Sequence, residues 1–595
     1  MKILVFIKQV PEVSEIKFDP ETKTLIREGV KNIINPYDRR AISEAIRHRE
    51  EKGGEVIIAT MGPPQARDAL LEALLMGADR GLHIMDSRLA GSDTLVTAMV
   101  LAAAARKIDF DLIFCGQHST DSETAQVPPE LAELLDIPCA TAVNKIEWNG
   151  SALRASAETD EGTLIVDLPL PCVISTAERL IKPIKVKDSP LTSVPGDKVE
   201  TLQLEDIGIA AEKVGLQGSP TWVERIHETT IPRKPQIFNL PDAKSAAEKI
   251  LDAIQEAAGE TELPVVPRSK QTNGKEFWCL MEHYKDQVRP VCLEILSTAA
   301  DLASKENGIV CALSLEAEVS ESYQSTLSSW GADKIYHLAD LHPDHAVALI
   351  CNRIEAVKPY AFLLPATSFG KYLAPRIAAR LRVGLTGDCV GLDWDAKGNL
   401  VQMKPAFGGN IVASIFSKTF PQMATIRPGA LRNYKPRAAA ATAVERWDSL
   451  PGIKESYQIV SREIDIGLEA AALEHSDVVV CVGMGLGQEN VPLAFHLAEG
   501  FRGAFGATRR VVDSGWLPRQ FQIGLTGKFV APKVYIGLGV SGRFNHTIGI
   551  QKAGRIIAVN NDPNADIFKI CNVGFIGDCV AISKELIELL RNDQG

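Results

Sequence analysis

The sequence predicts an α/β protein of three parallel-sheet domains, the first two duplicates of one another and the last doubly wound. Three observations carry that expectation. Short Val/Ile-rich runs alternate with longer helical patterns, the alternation that parallel α/β layers produce. One block of this pattern recurs later in the chain at a nearly constant spacing. Near the carboxyl end, apolar runs each lead into a glycine-bearing polar turn, the place where open parallel sheets collect ligands.

Strands are expected over 2–7, 55–60 and 111–115, and helices over 40–52 and 64–75, each ending before or at a glycine-bearing turn. The recurrence is specific. EVIIAT at 55–60 followed by GADR at 77–80 returns as GIVCAL at 308–313 followed by GADK at 331–334. LAELL at 131–135 returns as IAARL at 377–381, and PCVIST at 171–176 as PQMATI at 421–426, so the offsets are 254, 246 and 250 residues. Two homologous units follow, roughly 1–190 and 275–435, with 202–206 and 243–258 as a peripheral arm that extends the first domain to 258. The polar stretch 259–274 (GETELPVVPRSKQTNG) and the Ala-rich 436–459 read as linkers, leaving 460–595 as the last domain.

A formal charge of −11 with no long basic stripe argues against nucleic acid. Eleven scattered cysteines without CxxC or CxxH spacing offer no metal or cluster ligand set and read as buried thiols of a reducing compartment. The start MKILVFIKQVPE lacks a signal-peptide core, and the apolar stretch at 94–105 is too short to span a membrane. A soluble, cytoplasmic protein is expected.

In the last domain, 476–482 is a strand running into Gly483-Met484-Gly485-Leu486-Gly487, with a helix expected from Glu489. Strand, glycine turn and helix N-terminus suit a phosphate, although the glycines also suit close strand–helix packing. Three further loops follow: QIGLTGK at 522–528, GVSGRFNH at 539–546 after a strand at 533–539, and NNDP at 560–563 after a strand at 555–559. Gly577-Asp578 closes the domain. Polar residues at four such strand ends make a nucleotide-binding domain the expectation.

Taken in order, these loops resemble the FAD-binding domain of the electron-transfer flavoprotein alpha subunit. The shared stretches are Ala507-Thr508-Arg509 with Val512-Asp513-Ser514-Gly515-Trp516, the 522–528 loop, Ser541 to His546, Asn560 to Pro563, and Gly577-Asp578. The resemblance implies FAD here. It implies Arg509 against the flavin ring, His546 on its pyrimidine edge, Thr526 near N5 and Ser541 near the phosphates or ribityl chain. Asn560 and Asp578 would hold the adenosine end, with Thr508, Gln522, Gly524, Gly527 and Asp562 also at the cofactor. A fixed guanidinium beside the ring favours its anionic reduced form. Two positions depart from the family: Met484 replaces a glycine-flanked arginine, and Leu525 a glutamine. The middle domain, with LTGDC at 385–389, KPAFGGN at 404–410 and PQMATIRP at 421–428, is similar to the alpha subunit's amino-terminal domain.

Residues 1–258 resemble the beta subunit through IKQVP at 7–11, Ile34-Asn35-Pro36, Met61-Gly62-Pro63 and MGADRG at 76–81. The loop GQHSTDSETAQV at 116–127 leads into a helix expected near Pro129, where a hydroxyl and helix-terminal N–H groups suit a diphosphate. The resemblance places a nucleotide at Asn35, Gly62, Asp93, Thr94, Gly116, Asp121, Thr124, Ala125, Gln126 and Val127. Conventional members hold AMP here and electron-bifurcating members a second FAD. Thr124 to Val127 and AGSDTL at 90–95 favour the second FAD, with NADH as its substrate, whereas His118, Ser122, Glu123 and Pro128 depart from that pattern. No catalytic side chain is implied, since the flavin carries the chemistry. The implied partner is a flavin-dependent dehydrogenase, with ferredoxin or flavodoxin as a further partner. The segment that docks acyl-CoA dehydrogenases in the family is replaced by IKPIKVKDSPLTSV at 181–194, so a different dehydrogenase is expected.

Overall fold

The computed structural model describes residues 1–12, 17–19, 24–26, 31–186, 189–228, 233–240, 242–257, 263–268, 274–284, 287–339, 341–407, 411–464, 472–474, 476–524 and 527–593. The chain forms two compact units, one of residues 1–228, 265–427 and 434–463, the other of 229–264, 428–433 and 464–595.

The first unit holds the two repeats. In the first, strands run in the order Val199–Leu202, Arg80–Ile84, Glu55–Met61, Lys2–Phe6, Leu112–Gly116, Cys172–Thr176 and Cys139–Asn149, every pair parallel. In the second the order is Ala443–Arg446, Lys334–His337, Ile309–Ser314, Glu276–Met281, Ala361–Pro365, Gln422–Ile426 and Leu385–Cys389, again all parallel. The two orders match strand for strand. That match is what the recurring motifs anticipated. Both sheets are covered on their faces, which is why their central strands read as unbroken apolar runs such as KILVF and IVCALS.

Helices begin where the sequence carries start signals. Pro36 opens helix Pro36–Lys52, which ends at Gly53 with φ 72°, and Asp93 caps Thr94–Ala105 by accepting from the Val96 N–H at 3.0 Å. Before its last central strand each repeat inserts an antiparallel hairpin, and the hairpins exchange edges. Thr221–Glu228, which follows the first repeat, pairs antiparallel with Ile411–Ser417 of the second. Gln458–Ile464, which follows the second repeat, closes the first repeat's sheet beside Gly162–Leu168.

The second unit is a six-stranded sheet ordered Gln236–Phe238, Val573–Ile576, Arg555–Asn560, Val534–Leu538, Val478–Val482 and Ala504–Ala507, all parallel. The arm after the first repeat supplies its edge strand, and helix Ala243–Ala257 packs on Cys579–Asp593. All eleven cysteines are buried free thiols, and no described helix is long and apolar enough to cross a membrane.

Both expected linkers depart from that reading. Within 259–274, residues 259–262 and 269–273 lie outside the described residues, but Val265 bridges to Lys435 and Val266 is buried. Residues 436–459 supply the edge strand Ala443–Arg446 and bury Trp447. The ring of Trp447 stacks on Tyr336 at 4.2 Å and meets Trp278 at 5.2 Å. An Ala-rich run conceals one anchoring aromatic, because periodicity is not legible over four residues. Trp447→Ala should lower stability by about 3–5 kcal/mol, read as an earlier urea midpoint for the first unit.

Candidate functional site

In the first repeat, polar residues meet where three strand ends converge. Asp38, in the first turn of Pro36–Lys52, accepts from the Lys8 N–H at 2.7 Å, the Gly116 N–H at 3.1 Å and Asn35 Nδ2 at 2.9 Å. Asn35 also donates to the His118 carbonyl at 2.9 Å and accepts from the Thr120 N–H at 3.3 Å. A buried carboxylate and amide therefore fix the course of the loop after Leu112–Gly116. Burial pushes the Asp38 carboxyl up to about 7 despite its donors. His118 packs tilted against Tyr37 at 4.2 Å, and burial drives its ring down to about 4, so it is neutral.

The loop then turns sharply into helix Val127–Leu135. Glu123 and Ala125 have φ of 52° and 56°, and Gln126 returns to the right-handed helical region. Such alternation turns successive backbone N–H groups to one side, a concavity that holds anions at a helix N-terminus. Side chains brace it. Thr94 Oγ1 bonds Gln126 Oε1 at 2.7 Å, and Gln126 Nε2 reaches the Leu385 carbonyl at 3.4 Å. Asp93 Oδ2 accepts from the Thr221 N–H and hydroxyl at 3.0 and 2.8 Å. Burial would raise Asp121, but the Lys8 ammonium at 2.6 Å outweighs it and holds the carboxyl below its ordinary value.

These loops open onto a cavity of about 1530 Å³. Asn35, Gly62, Asp93, Thr94, Gly116, Thr124, Ala125, Gln126 and Val127 line it, and Asp121 stands beside it through Lys8. Ser122 and Pro128 are in the wall as well. The second repeat closes the far side with Thr386, Gly387, Lys404 and Ile415, and the exchanged strand adds Trp222 and Val223. A wall built by the second repeat was not read from the sequence, because nothing local in LTGDC or KPAFGGN says which partner they face.

In the second unit the sheet order reverses at Val478–Val482, which has Ala504–Ala507 on one side and Val534–Leu538 on the other. Ligands of open α/β sheets bind at such a point. There the Gly485 N–H donates to the Gly539 carbonyl at 3.1 Å, and a Cβ at Gly483 would lie 2.1 Å from that oxygen. Two glycine turns thus pack backbone to backbone. Short 3-10 turns intervene, so the following helix is Val491–Gly500 and starts after Glu489.

Around this crevice the predicted residues gather at the carboxyl ends of the strands. Thr508 begins the turn of helix Arg509–Asp513, and Arg509 Nε pairs with Asp513 at 3.1 Å. Gln522 bridges in parallel to Ala507, which places Gly524 and Gly527 in the adjoining turn, while Thr526 and Leu525 lie outside the described residues. Ser541 is exposed, and so is Met484. Asn560 donates to the Val540 carbonyl and accepts from the Asp562 N–H, each at 2.9 Å. Asp562 and Asp578 accept from the N–H groups of Asn564 and Val580.

His546 departs from its expected contact. Nδ1 lies 3.0 Å from the Ile523 carbonyl and must donate to it, so Nε2 accepts the Tyr535 hydroxyl at 2.7 Å. Burial lowers the ring to about 4, which keeps it neutral. Both ring nitrogens are engaged inside the domain, and the side chain fixes the Ile523–Gly524 turn.

The electron transfer flavoprotein domain model matches residues 22–206 and again 277–451, one match per repeat, and the electron transfer flavoprotein FAD-binding domain model matches 472–551. The chain belongs to the electron-transfer flavoprotein family. Its first part is 40% identical over 255 residues to the electron transfer flavoprotein subunit beta of Thermoanaerobacterium thermosaccharolyticum, covering 43% of this chain and 98% of the relative. The rest is 37% identical over 327 residues to subunit alpha of the same organism, covering 53% and 98%. The LctC subunit of a lactate dehydrogenase (NAD(+),ferredoxin) of Acetobacterium woodii is 33% identical over 331 residues, covering 53% and 76%. This electron-transfer flavoprotein therefore carries beta-like and alpha-like halves in one chain.

Asp38, which sequence reasoning passed over, makes a testable mark on stability. Its folded value lies above its ordinary one, so the folded state holds the extra proton between about pH 4 and pH 7 and loses stability as pH rises through that window, on the order of 4 kcal/mol. Asp38→Asn removes that dependence. Urea midpoints from pH 5 to 8 should show the variant gaining on the wild type as pH rises, and a gap that stays constant with pH would contradict it.

Proposed function

We propose that this electron-transfer flavoprotein is a cytoplasmic carrier with two flavins, one FAD in the last domain and a second FAD in the first-half cavity, where NADH delivers electrons. The cavity carries the reading. Its volume of about 1530 Å³ exceeds the range of roughly 300–1,000 Å³ that serves drug-sized ligands, and a dinucleotide uses that room better than AMP. The residues fit such a group: the anion-holding turn at Thr124–Val127 would take the diphosphate. Asn35, Gly62, Gly116, Asp93 and Thr94 would shape the rest, with Asp121 holding Lys8. Electrons pass to a flavin-dependent dehydrogenase, with ferredoxin or flavodoxin as a second acceptor. The NAD(+),ferredoxin designation of the Acetobacterium relative supports that direction.

In the last domain the nucleotide would lie along the carboxyl ends of the strands at the point where the sheet order reverses, bounded by Ser541, Asn560, Asp562 and Asp578. Thr508, Gln522, Gly524, Thr526 and Gly527 would frame the ring. FAD supplies the redox chemistry when bound. Arg509 supplies positive charge to the reduced ring, moderated by its pair with Asp513. His546, neutral and tautomer-locked, holds the neighbouring turn without adding charge.

Counting FAD and AMP released from denatured full-length protein should give two FAD per chain, and Thr124→Val should leave about one. One FAD and one AMP would establish the conventional single-flavin carrier, with Ser122 and Pro128 narrowing the path of a second ring. Arg509→Ala should lower the midpoint potential of the remaining flavin, since removing a cation disfavours the anionic reduced form. An unchanged potential in a fully loaded variant would place Arg509 away from the ring.

A further inference from the structure

The cavity wall that the second repeat supplies carries two buried polar groups that are sparsely partnered among the described residues. Thr386, on strand Leu385–Cys389, is 3% exposed, and its hydroxyl has no hydrogen-bond partner among the described residues. Lys404, on Leu400–Ala406, is 7% exposed, and its ammonium donates to the carbonyl of the next residue, Pro405, at 3.2 Å. A buried ammonium calls for more than one neutral carbonyl. The acids facing it are shared. Asp388 is held by Arg427 through Nε at 3.0 Å and through a second guanidinium nitrogen, and Lys371 approaches it at 3.9 Å. Glu123 faces both Lys404 and Arg427. Among the described residues, Lys371, Lys404 and Arg427 thus meet Asp388 and Glu123, three cations against two acids.

This wall is held against the anion-binding turn. The Phe407 N–H donates to the Asp121 carbonyl at 3.1 Å, and Gln126 reaches the Leu385 carbonyl at 3.4 Å. A Cβ at Gly387 would lie 2.7 Å from Gln126 Nε2, so a side chain there would push that amide aside. Thr386 and Lys404 line the same cavity as Thr124 to Val127.

We propose that Thr386 and Lys404 complete the first-half nucleotide site from the second repeat, Lys404 as counter-charge to a phosphate of the ligand and Thr386 as a hydroxyl donor to it. The assignment rests on the reading that this cavity holds a nucleotide. It makes the site a property of both repeats together.

The test uses the full chain. Nucleotides released from wild type, Lys404→Met, Lys404→Arg and Thr386→Val are counted, with the last-domain FAD as internal standard for folding. Nucleotide-depleted protein is then titrated with FAD, AMP or inorganic phosphate at two salt concentrations. Lys404→Met should weaken nucleotide binding roughly tenfold or more and flatten its salt dependence, and Lys404→Arg should restore most of both. Thr386→Val should weaken binding about threefold or more and leave the melting temperature of the unliganded protein unchanged, since its hydroxyl has no partner to lose among the described residues. If Lys404→Met does not fold, Thr386→Val decides alone. Wild-type affinity and salt dependence in the folded variants would overturn the assignment while the nucleotide reading stands. A wild type that releases no first-half nucleotide and takes up neither AMP nor FAD would overturn the nucleotide reading, and this assignment with it.

Discussion

Strand Thr221–Glu228 leaves the first repeat to pair with Ile411–Ser417 of the second, and Gln458–Ile464 leaves the second to close the sheet of the first. Each hairpin would otherwise end in a row of unpaired N–H and C=O groups open to wrong partners. The exchange satisfies both edges and fixes the two repeats face to face. It also builds the cavity: Trp222 and Val223 ride in on one exchanged strand, and Ala413 and Ile415 come from the strand it pairs with. Asp93 ties the two tasks together, because the carboxylate that caps Thr94–Ala105 also holds Thr221 at the start of the exchanged strand.

The two candidate sites reach ligand-ready geometry by different routes. In the first repeat, buried side chains do it: Asn35 and Asp38 gather four backbone groups from the loops at Lys8, Gly116, His118 and Thr120. In the last domain, the absence of side chains does it, since Gly483 and Gly485 lie directly on Gly539. A tight backbone contact tolerates a changed neighbour, which is how Met484 can stand between two such glycines with its side chain exposed.

Most of the architecture was legible in the sequence. Parallel central strands announce themselves as apolar runs, and a duplicated domain as a constant offset; both are local or pairwise properties of the chain. The glycine-bearing strand ends of the last domain were legible for the same reason. Three features were not. Asp38 lies in the first turn of a helix, where an acidic residue is ordinary, and only the approach of Lys8 and Gly116 from distant strands gives it a role. Trp447 sits in a stretch too short to show periodicity. The His546 ring looked available because its partners, the Ile523 carbonyl and the Tyr535 hydroxyl, come from separate loops and strands.

The second repeat has the same strand order, but protein side chains, two of them carboxylates of the first repeat's hairpin, fill its equivalent place. Where the first repeat has Asn35 before Pro36, the second has Arg289 before Pro290, at the start of the corresponding helix. Arg289 is 7% exposed and pairs with Glu161 from the first repeat's hairpin and with Glu282 at 3.5 Å. Burial pushes Glu282 up to about 8, and Thr367 donates to it at 2.7 Å. Asp160 of the same hairpin accepts from the Ser368 N–H at 2.6 Å, at the N-terminus of helix Ser368–Leu381, where a ligand's anion would otherwise sit. The second repeat thus supplies its own cation, while Glu161 and Asp160, which answer that cation and its helix N-terminus, come from the first repeat's hairpin. The first repeat's cavity opens at its anion-holding turn instead, with Lys404 of the second repeat in its wall, and that difference, rather than the shared fold, supports the nucleotide reading proposed above.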